Sequence, residues 1–338
     1  MARTIIYDTS EIDKNNLNEL LKETDHEIIF VEEPLSRETA DREAEVVSVF
    51  ITSDLSEEVM ACMPKLRHIA CRSTGTNHVD IKAAEIRNIT VTYVPSYGDH
   101  TVAEYAFTLL LALSRKLQTT LEAVDKLDIN LLDLVGFDLN GKTLGIFGAG
   151  RIGQSAARIA LGFGMRVIAY DPYPNQQKAD EIGFEFADKE SILRQADVVS
   201  LHMPYTIDNK YFLNTNEFAM MKQGAIVINT ARGQLLNQVA LIQYLHNGHL
   251  GGAGLDVFEG EVLLDLDEEI AAIRNPQHSK ELLMQDTELT ILRAMPNVII
   301  TPHNAFNTIE ALWRINETTA QNIIGYWYGE TPNRFIQK

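Results

Sequence analysis

The sequence predicts an α/β protein built from two parallel-sheet domains. Residues 1 to about 100 alternate short apolar strand patterns with helical patterns, and the same alternation returns from residue 142 onward. The second region opens with a glycine-rich turn between a strand and a helix, and the first region has no such turn. A chain of 338 residues, 45% of them hydrophobic, is long enough for two domains and their cores.

The first region contains five strand patterns with helical patterns between them. Because strands and helices alternate, we expect a parallel sheet covered by helices on both faces. The predicted strands are residues 4–8, 27–31, 45–51, 66–72 and 90–94, and the clearest predicted helices are residues 16–22 and 56–63.

A loop at residues 72–77 lies between a strand and a helix of the first region. Its small residues, among them Ser73, Thr74 and Gly75, have backbone N–H groups that could hold a carboxylate at the start of a helix. On the residues alone, an ordinary turn with Asn77 near the helix cap is the simpler interpretation.

A second loop, residues 95–100, precedes a helix that begins at Thr101 and ends at Lys116. This helix is apolar on most sides, which indicates burial in a core, at a crossing between domains or in a dimer contact. Residues 117–139 carry mixed charge without a clear period. We predict that they form an arm or a crossover into the second domain.

Residues 142–153 organise the chain as a buried strand, a tight glycine turn and the start of a helix. Gly148, Gly150 and Gly153 have the G-x-G-x-x-G spacing of dinucleotide-binding folds. The first glycine permits the tight turn, the second lets a pyrophosphate approach the backbone, and the third lets the helix pack against the strand. The start of the helix offers free N–H groups and its positive end to the phosphates.

A second strand, residues 166–170, ends at Asp171. This acid follows the last glycine at close to the ~20 residues expected of a ribose-binding acid. Its carboxylate can accept hydrogen bonds from both adenosine hydroxyls and would repel a 2′-phosphate, so NAD is favoured over NADP. The alternative is that Asp171 only caps a turn before Pro172.

The elements beyond Asp171 continue the alternation. The predicted strands are residues 184–187, 197–201, 225–229, 251–256 and 298–301, and the predicted helices are residues 188–195, 214–221 and 235–246. An acidic, partly helical stretch covers residues 262–295. The last helix, residues 308–328, is expected to return to the first domain. We therefore predict a discontinuous domain of residues 1–100 and 304–338, and a second domain of residues 101–303.

Polar residues that follow the strands of the second domain are candidates for chemistry, because doubly wound sheets bind ligands at the carboxyl ends of their strands. Arg232 follows a buried strand, and its fork of donors suits a carboxylate or a 2-oxo acid better than a surface salt bridge. His303 also follows a strand and suits proton transfer near neutral pH, although a lone histidine is more often structural. Glu261 is a candidate carboxylate partner for that imidazole.

Another imidazole, that of His202, stands at a strand end. We interpret it as part of a cofactor wall, because the adjacent Met203 and Pro204 are typical of an apolar pocket. The sequence contains neither a metal-ligand spacing nor the strand–turn–helix motif of serine hydrolases, so we expect no metal.

Charge and cysteine content limit the partners and the compartment. A net charge of −18 argues against nucleic acid or an anionic membrane as partner, and it means that an anionic substrate needs a local cationic site. Two isolated cysteines fit a reducing compartment. Residues 1–7 resemble a strand rather than a signal peptide, and no apolar run is long enough to cross a membrane. We expect a cytoplasmic location.

Taken together, these motifs resemble the D-isomer-specific 2-hydroxyacid dehydrogenase family, and in particular its D-lactate-dehydrogenase-like members. The resemblance extends over nearly the whole chain and depends on eight motifs in order. They are residues 72–75 (RSTG), 101–104 (TVAE), 147–153 (FGAGRIG), 170–172 (YDP), 202–204 (HMP), 229–233 (NTARG), 255–261 (LDVFEGE) and 301–306 (TPHNAF).

The resemblance implies a Rossmann NAD-binding domain at residues 101–303 and a flavodoxin-like substrate domain at residues 1–100 and 304–338, with the active site in the cleft between them. It implies that Arg232 holds the substrate's carboxylate and carbonyl, that His303 gives the carbonyl its proton, and that Glu261 keeps His303 protonated. It further implies a homodimer through the helix from Thr101 to Lys116.

The cofactor implied is NAD, and the substrate implied is a small 2-oxo or 2-hydroxy acid. Apart from the three glycines, the NAD contacts implied are Arg151, Ile152, Asp171, His202, Met203, Pro204, Asn209, Thr230, Ala231, Arg232 and Asp256. The substrate contacts implied are Ser73, Thr74, Gly75 and Arg232, with Tyr97 as a candidate for sizing the pocket.

Pyruvate and D-lactate are the first prediction for the substrate pair. A bulkier 2-oxo acid, phosphoglycerate and a non-enzymatic NAD(H)-sensing dimer are the alternatives, and phosphoglycerate is disfavoured because the substrate loops offer mainly one cation, Arg72. Two features depart from the family pattern: the long stretch at residues 262–295, whose role the sequence leaves open, and Val262 where a proline is common.

Overall fold

The computed structural model describes residues 2–259 and 279–336, with the backbone alone for residues 279–283. The chain divides into two units, one formed by Met1–Tyr97 with Asn307–Lys338 and the other by Gly98–Phe306. The predicted boundaries lie within a few residues of these, and the functions assigned to the two domains remain predictions.

The first unit has a five-stranded parallel sheet. Its strands are β1 (Arg3–Ile6), β2 (Glu27–Phe30), β3 (Val46–Val49), β4 (His68–Cys71) and β5 (Thr90–Thr92). Their spatial order is β2-β1-β3-β4-β5, and every pairing is parallel. This is the strand order of flavodoxin-like folds. Each predicted strand is present, shortened by one to three residues.

Helices cover this sheet. They are α1 (Glu11–Leu21), α2 (Glu57–Ala61), α3 (Ile81–Ile86) and the C-terminal helix α12 (Ile309–Trp327), whose Ile323 packs with Val46 and Ala70 of the sheet. The prediction that α1 begins at residue 16 is wrong. A capping box formed by Ser10 and Asp13 starts the helix at Glu11, because each side chain bonds a backbone N–H group of the other residue.

The second unit has a seven-stranded parallel sheet. Its strands are β6 (Thr143–Phe147), β7 (Arg166–Tyr170), β8 (Glu185–Phe186), β9 (Val198–Leu201), β10 (Ala225–Asn229), β11 (Leu250–Leu255) and β12 (Val298–Ile300). Their order is β12-β11-β10-β9-β6-β7-β8, which reversed is the 3-2-1-4-5-6 order of the Rossmann fold with one further strand. The α/β prediction with two doubly wound sheets is confirmed.

Two hydrophobic clusters cover the two faces of this sheet. Alternate residues of one strand point into different clusters, as Val227 does on one side and Ile226 and Ile228 on the other. The helices of the unit are α4 (Thr101–Ser114), α5 (Leu117–Asp125), α6 (Arg151–Gly162), α7 (Gln176–Ile182), α8 (Lys189–Gln195), α9 (Thr215–Met220), α10 (Gln238–His246) and α11 (Ser279–Ala294).

Helix α4 packs closely against the sheet within its own unit. Its buried residues include Ala103, Ala106 and Leu110, which join one of the two clusters. A Cβ atom on Gly254 of β11 would lie 2.9 Å from the Cβ of Leu109, so a glycine is needed at this contact. Most of the apolar side chains of this helix are thus buried inside its own unit.

Residues 117–135, here called the arm, follow α4. They include α5, which the lack of a clear period in the sequence did not predict and which has no buried residue. Eight apolar side chains of the arm are 49–87% exposed. They are Leu117, Leu121, Val124, Leu127, Ile129, Leu131, Leu132 and Val135. Across the described parts of the chain, no helix combines the length and hydropathy needed to cross a lipid bilayer.

Candidate active site

The glycine turn joins β6 to α6 at the carboxyl edge of the seven-stranded sheet. Gly148 has φ +96°, and a Cβ atom there would lie 2.6 Å from the carbonyl oxygen of His202. A Cβ on Gly153 would lie 2.1 Å from the carbonyl oxygen of Gly148, so only glycine permits this helix–turn contact. Gly150 caps α6 without a side chain, and the space where its Cβ would stand is open. The start of α6 therefore presents its N–H groups to open space.

Asp171, at the end of β7, is fixed beside this turn. One carboxylate oxygen accepts a hydrogen bond from the N–H of Ala149 at 2.9 Å, and the other accepts one from Tyr173 at 2.9 Å. The carboxylate thus caps a turn and also braces the glycine loop. Since each oxygen can accept a second hydrogen bond, both oxygens are also able to bind ribose hydroxyls.

Arg151 and Ile152 begin α6 and differ in their surroundings. The Arg151 side chain is 62% exposed and forms an ion pair with Asp99 at 3.2 Å. Ile152 packs against the hydrophobic cluster beside α6. Of these two side chains, that of Arg151 is placed to meet an anion.

The loop after β9 holds the next group of predicted residues. The Nε2 atom of His202 lies 2.9 Å from the hydroxyl of Ser200, and its buried Nδ1 has no partner among the described residues. Burial lowers the pKa of His202 to about 4, so the ring is neutral at pH 7. Met203 packs on the core, and Pro204 is exposed.

Asn209 closes this loop with its own side chain. Its amide oxygen accepts a hydrogen bond from Thr206 N–H at 2.7 Å, and its amide nitrogen donates to the carbonyl of Pro204 at 2.9 Å. Both ends of the amide are therefore engaged in holding the loop.

The Arg232 loop follows β10 and is shaped by a buried asparagine. The side chain of Asn229 accepts a hydrogen bond from Ala231 N–H at 3.0 Å and donates to the carbonyl of Arg232 at 2.9 Å. The Arg232 guanidinium donates from Nη1 to the carbonyl of Ala231 at 2.7 Å, and its other donors have no partner in the described part of the chain. The hydroxyl of Thr230 is buried and likewise has no partner there.

The His303 loop follows β12 and is held by Asp256. The carboxylate of Asp256, with 0% exposure, accepts hydrogen bonds from the Thr301 hydroxyl at 2.6 Å and from the N–H groups of Asn304 and Ala305, each at 2.8 Å. The N–H of His303 donates to the carbonyl of Asp256 at 2.9 Å. His303 has φ +50°, a left-handed conformation that non-glycine residues seldom adopt. The Asp256 carboxylate, predicted as an NAD contact, therefore uses its oxygens to hold the His303 loop.

The first unit carries the loop predicted to bind a carboxylate. The hydroxyl of Ser73 donates to the carbonyl of Gly75 at 2.6 Å, and that of Thr74 donates to the carbonyl of Val94 at 2.7 Å. The backbone N–H groups of residues 73–75 donate no hydrogen bond to any described residue. The loop is therefore held by its own side-chain hydroxyls, and its consecutive backbone N–H groups remain available to a ligand.

Arg72, which precedes this loop, does not serve as a surface cation. It is 1% exposed, and its guanidinium donates to the carbonyls of Tyr7 and Asp8 at 2.7 Å. Burial lowers its pKa. Tyr97, at the end of the same stretch of chain, is half-buried, and its carbonyl accepts a hydrogen bond from Arg314 at 2.7 Å.

Comparison with known proteins identifies the family. Residues 107–305 match the model of the NAD-binding domain of D-isomer specific 2-hydroxyacid dehydrogenases. The D-lactate dehydrogenase of Escherichia coli K12 is 36% identical over 336 residues, which cover 98% of this chain and 99% of that one. The chain belongs to the D-isomer specific 2-hydroxyacid dehydrogenase family.

Solved structures of family members agree over the full length. A D-lactate dehydrogenase from Aquifex aeolicus, solved with NAD and lactic acid, has a TM-score of 0.86 and 31% identity, covering 99% of this chain and 100% of that one. A D-2-hydroxyisocaproate dehydrogenase has a TM-score of 0.86 and 29% identity, covering 98% and 99%. The chain is thus an NAD-dependent oxidoreductase of this family.

In this dehydrogenase, six strands of the second unit end at the carboxyl edge of the sheet. The predicted site residues that follow these strands therefore lie along that edge. Contacts join Gly148 to His202 and Asp256 to His303. Glu261, the third residue of the predicted catalytic trio, lies outside the described residues, as do residues 262–278 of the long acidic stretch.

One residue that shapes the site escaped the sequence analysis. The sequence places Asn229 at the end of a strand and in the motif 229–233 without assigning it a role, yet its side chain bonds the N–H of Ala231 and the carbonyl of Arg232. The signal was present, since a buried polar amide at the end of an apolar strand needs hydrogen-bond partners nearby.

Proposed function

We propose that the enzyme reduces a small 2-oxo acid to the D-2-hydroxy acid with NADH, with pyruvate and D-lactate as its pair. The observation that carries the proposal is the full-length similarity to D-lactate dehydrogenases, one of them solved with NAD and lactic acid. Two features of the second unit are consistent with the proposal. The Arg232 guanidinium has donors that bond no described residue, and the His303 loop is held by a hydrogen bond to Asp256.

In this proposal, the residues of the second unit divide the work of carbonyl reduction. The carbonyl oxygen gains negative charge as the hydride supplied by NADH adds to its carbon, so cationic donors beside that oxygen lower the barrier. Arg232 holds the substrate carboxylate and polarises the carbonyl. His303 donates a proton to the oxygen, and Glu261 stabilises the imidazolium until it does so.

NAD would be held by the glycine turn and the loops around it. The open start of α6 fits a pyrophosphate, and Asp171 fits the adenosine ribose and excludes a 2′-phosphate. Met203 and Pro204 would line the cofactor. Thr230 and Ala231 would lie near the nicotinamide. We propose that Asn209 and Asp256 contribute by shaping their loops, because their side-chain groups are already engaged.

The loop at residues 73–75 of the first unit is also proposed to bind the substrate. Consecutive N–H groups at Ser73, Thr74 and Gly75 suit one carboxylate. With Arg72 buried and bonded to carbonyls, this loop offers no cation for a substrate phosphate, which argues further against phosphoglycerate. Tyr97 remains a candidate for limiting the size of the substrate side chain.

A steady-state panel tests the substrate proposal. Pyruvate, a branched 2-oxo acid and an aromatic 2-oxo acid are compared with NADH, and 3-phosphoglycerate is tested with NAD. The proposal expects the highest kcat/KM for pyruvate. A higher value for a branched acid would place the enzyme with relatives such as the hydroxyisocaproate dehydrogenase. No turnover with any of them, despite NADH binding, would refute the enzymatic assignment.

We also propose that the enzyme works as a homodimer in the cytoplasm. The sequence pointed to the helix from Thr101 to Lys116, but much of its apolar surface is used within its own unit. The arm that follows it exposes eight apolar side chains, an unusual density for a surface that meets only water. A cavity of about 560 Å³ at the base of the arm, lined by Leu113, Val135 and Phe137 among others, offers apolar surface next to it. The proposed interface therefore centres on the arm and the end of α4.

A further inference from the structure

Three loops of the second unit meet at Glu259, two positions before Glu261. The Glu259 side chain is only 14% exposed. Its carboxylate accepts a hydrogen bond from the Tyr211 hydroxyl at 3.0 Å and lies 3.8 Å from the Lys210 ammonium group. A half-exposed lysine and a tyrosine from the loop after β9 thus hold the side chain of a residue that follows β11.

The backbone of Glu259 is held separately by Gln238. Gln238 is 3% exposed, and its amide oxygen accepts the N–H of Glu259 at 2.9 Å while its amide nitrogen donates to the Glu259 carbonyl at 3.3 Å. The same nitrogen donates to Glu288 of α11 at 2.9 Å. One buried side chain therefore pairs with both backbone groups of Glu259, as a neighbouring strand would.

The two loops that carry predicted site residues rest on this point. Tyr211 has φ +53°, a strained conformation for a non-glycine residue, and its N–H donates to the carbonyl of Gln234 at 2.8 Å. It lies two positions after Asn209. Gly233, next to Arg232, is so close to Phe258 that a Cβ atom would lie 2.2 Å from the Phe258 carbonyl carbon. The Asn209 loop, the Arg232 loop and the chain leading to Glu261 are thus fastened together.

We propose that Tyr211, Gln238 and Glu259, here called the Glu259 clamp, are positioning residues that fix where the chain bearing the catalytic Glu261 begins. Glu261 follows Glu259 by two residues, which span at most roughly 7 Å, so we expect its function to depend on how Glu259 is held. A supporting group must hold a catalytic side chain to within about 0.5 Å for full activity. This inference rests on the proposed function, because it assigns the clamp to the carboxylate that keeps His303 protonated.

The test changes one clamp residue at a time. Tyr211→Phe deletes one hydroxyl, and Gln238→Leu deletes both amide bonds to Glu259. The matched controls are Tyr244→Phe and Gln243→Leu, which make the same chemical changes on α10 away from Glu259. For each variant we would measure kcat and KM for pyruvate, the NADH dissociation constant by fluorescence, and the pH profile of kcat/KM.

The clamp variants should lose about tenfold in kcat, since small displacements of a catalytic group have large effects on rate. The alkaline limb of kcat/KM should move to lower pH, because an imidazolium that loses its carboxylate partner gives up its proton more readily. NADH binding should stay within about twofold of wild type, as the nucleotide contacts are left in place. The controls should match wild type in all these respects.

Each outcome has a distinct meaning. Clamp variants that lower the thermal midpoint but keep the wild-type kcat and pH profile would overturn the inference and leave a structural role only. If Gln238→Leu fails to fold, Tyr211→Phe decides the matter by itself, because it removes a single atom. A wild-type enzyme without turnover would refute the proposed function and the clamp's role with it, whereas wild-type turnover with unaffected clamp variants would refute the clamp alone.

Discussion

Asp256 shows how a single buried residue can set the geometry of the His303 loop. Its carboxylate takes three hydrogen bonds from residues 301–305, and its carbonyl takes a fourth from His303, which holds the imidazole residue at φ +50°. Such a strained backbone persists only where its surroundings enforce it.

Replacing Asp256 by asparagine should therefore impair both stability and turnover. Asparagine supplies one acceptor oxygen, so an N–H of Asn304 or Ala305 would stay buried without a partner, at a cost of about 1–3 kcal/mol. We expect a lower thermal midpoint and at least a roughly tenfold fall in kcat. Thr301→Val, which removes one of the donors, should have a smaller effect on both. Wild-type kcat in Asp256→Asn would contradict the role given to this loop.

Asp171 allows a test of cofactor choice. Asp171→Asn keeps an acceptor near the N–H of Ala149 but removes the charge that repels a 2′-phosphate. The ratio of kcat/KM for NADH to that for NADPH should fall by about tenfold or more, the size of a charge-assisted hydrogen bond. Asp180→Asn, on the exposed surface of α7, should leave the ratio unchanged. An unaltered ratio in Asp171→Asn would show that another group selects the cofactor.

The sequence predicts best those features that depend on residues close to one another in the chain. Gly148 has φ +96°, and a Cβ on Gly153 would lie 2.1 Å from the carbonyl oxygen of Gly148 five positions earlier, so the glycine spacing between a strand and a helix indicates the turn. The role of Asp256 was not predictable in the same way, because its partners lie 45 to 49 positions away. Arg72 was misjudged for a similar reason, since its burial depends on the ends of β1 and β3.

Among the elements, β4 contains a histidine that should make the first unit sensitive to acid. His68 is 0% exposed, its Nε2 lies 2.8 Å from the Thr92 hydroxyl, and its ring stacks on Tyr326 with centroids 4.4 Å apart. Burial lowers the pKa of His68 from 6.5 to about 3. The folded state therefore holds the ring neutral at pH values where the unfolded chain binds a proton.

The stability contributed in this way is fully present above pH 6.5 and is lost as the pH falls toward 3. The slope for one proton is about 1.4 kcal/mol per pH unit. The free energy of unfolding of the first unit, measured with urea between pH 7 and pH 4, should fall less steeply with pH in His68→Gln than in wild type. Equal slopes would mean that the buried ring does not control acid unfolding.

Strands and helices were predicted correctly where apolar residues recur regularly. They were missed where a few polar residues set the start of a helix. All twelve strands found within residues 2–259 and 279–336 were expected, because most of them are buried parallel strands with nearly continuous apolar runs. The start of α1 was missed because its cap, Ser10, lies in a stretch without apolar periodicity. Helix α5 was missed because it buries none of its residues, so no stripe marks it in the sequence.

At the scale of the whole molecule, a net charge of −18 opposes association, so any dimer needs an apolar contact strong enough to outweigh it. The arm offers such a contact, with Leu131 and Leu132 75% and 81% exposed. Changing both to glutamate should convert a dimer to a monomer in light scattering at micromolar concentration. Ile86→Glu, at a site 82% exposed on α3 of the first unit, is the matched control and should remain dimeric. A wild-type monomer, or a dimer that survives the double change, would contradict the proposed interface.

The order of the strands in each sheet was expected through resemblance rather than from the residues. Periodicity marks where strands lie, but their neighbours depend on contacts between distant parts of the chain, such as β6 with β9. The family motifs supplied that information, and both sheet orders agree with it.

The central claim is that this chain catalyses stereospecific reduction of a 2-oxo acid with His303 as the proton donor. The most direct measurement is the chirality of the lactate formed from pyruvate and NADH, compared between wild type and His303→Ala. We predict D-lactate from wild type, and a rate lower by about 10²–10⁴ in His303→Ala with NADH binding retained. The exposed His246→Ala should behave as wild type. L-lactate as the product would contradict the account. So would a wild-type protein that binds NADH but shows no turnover, because that is the behaviour of an NAD(H) sensor.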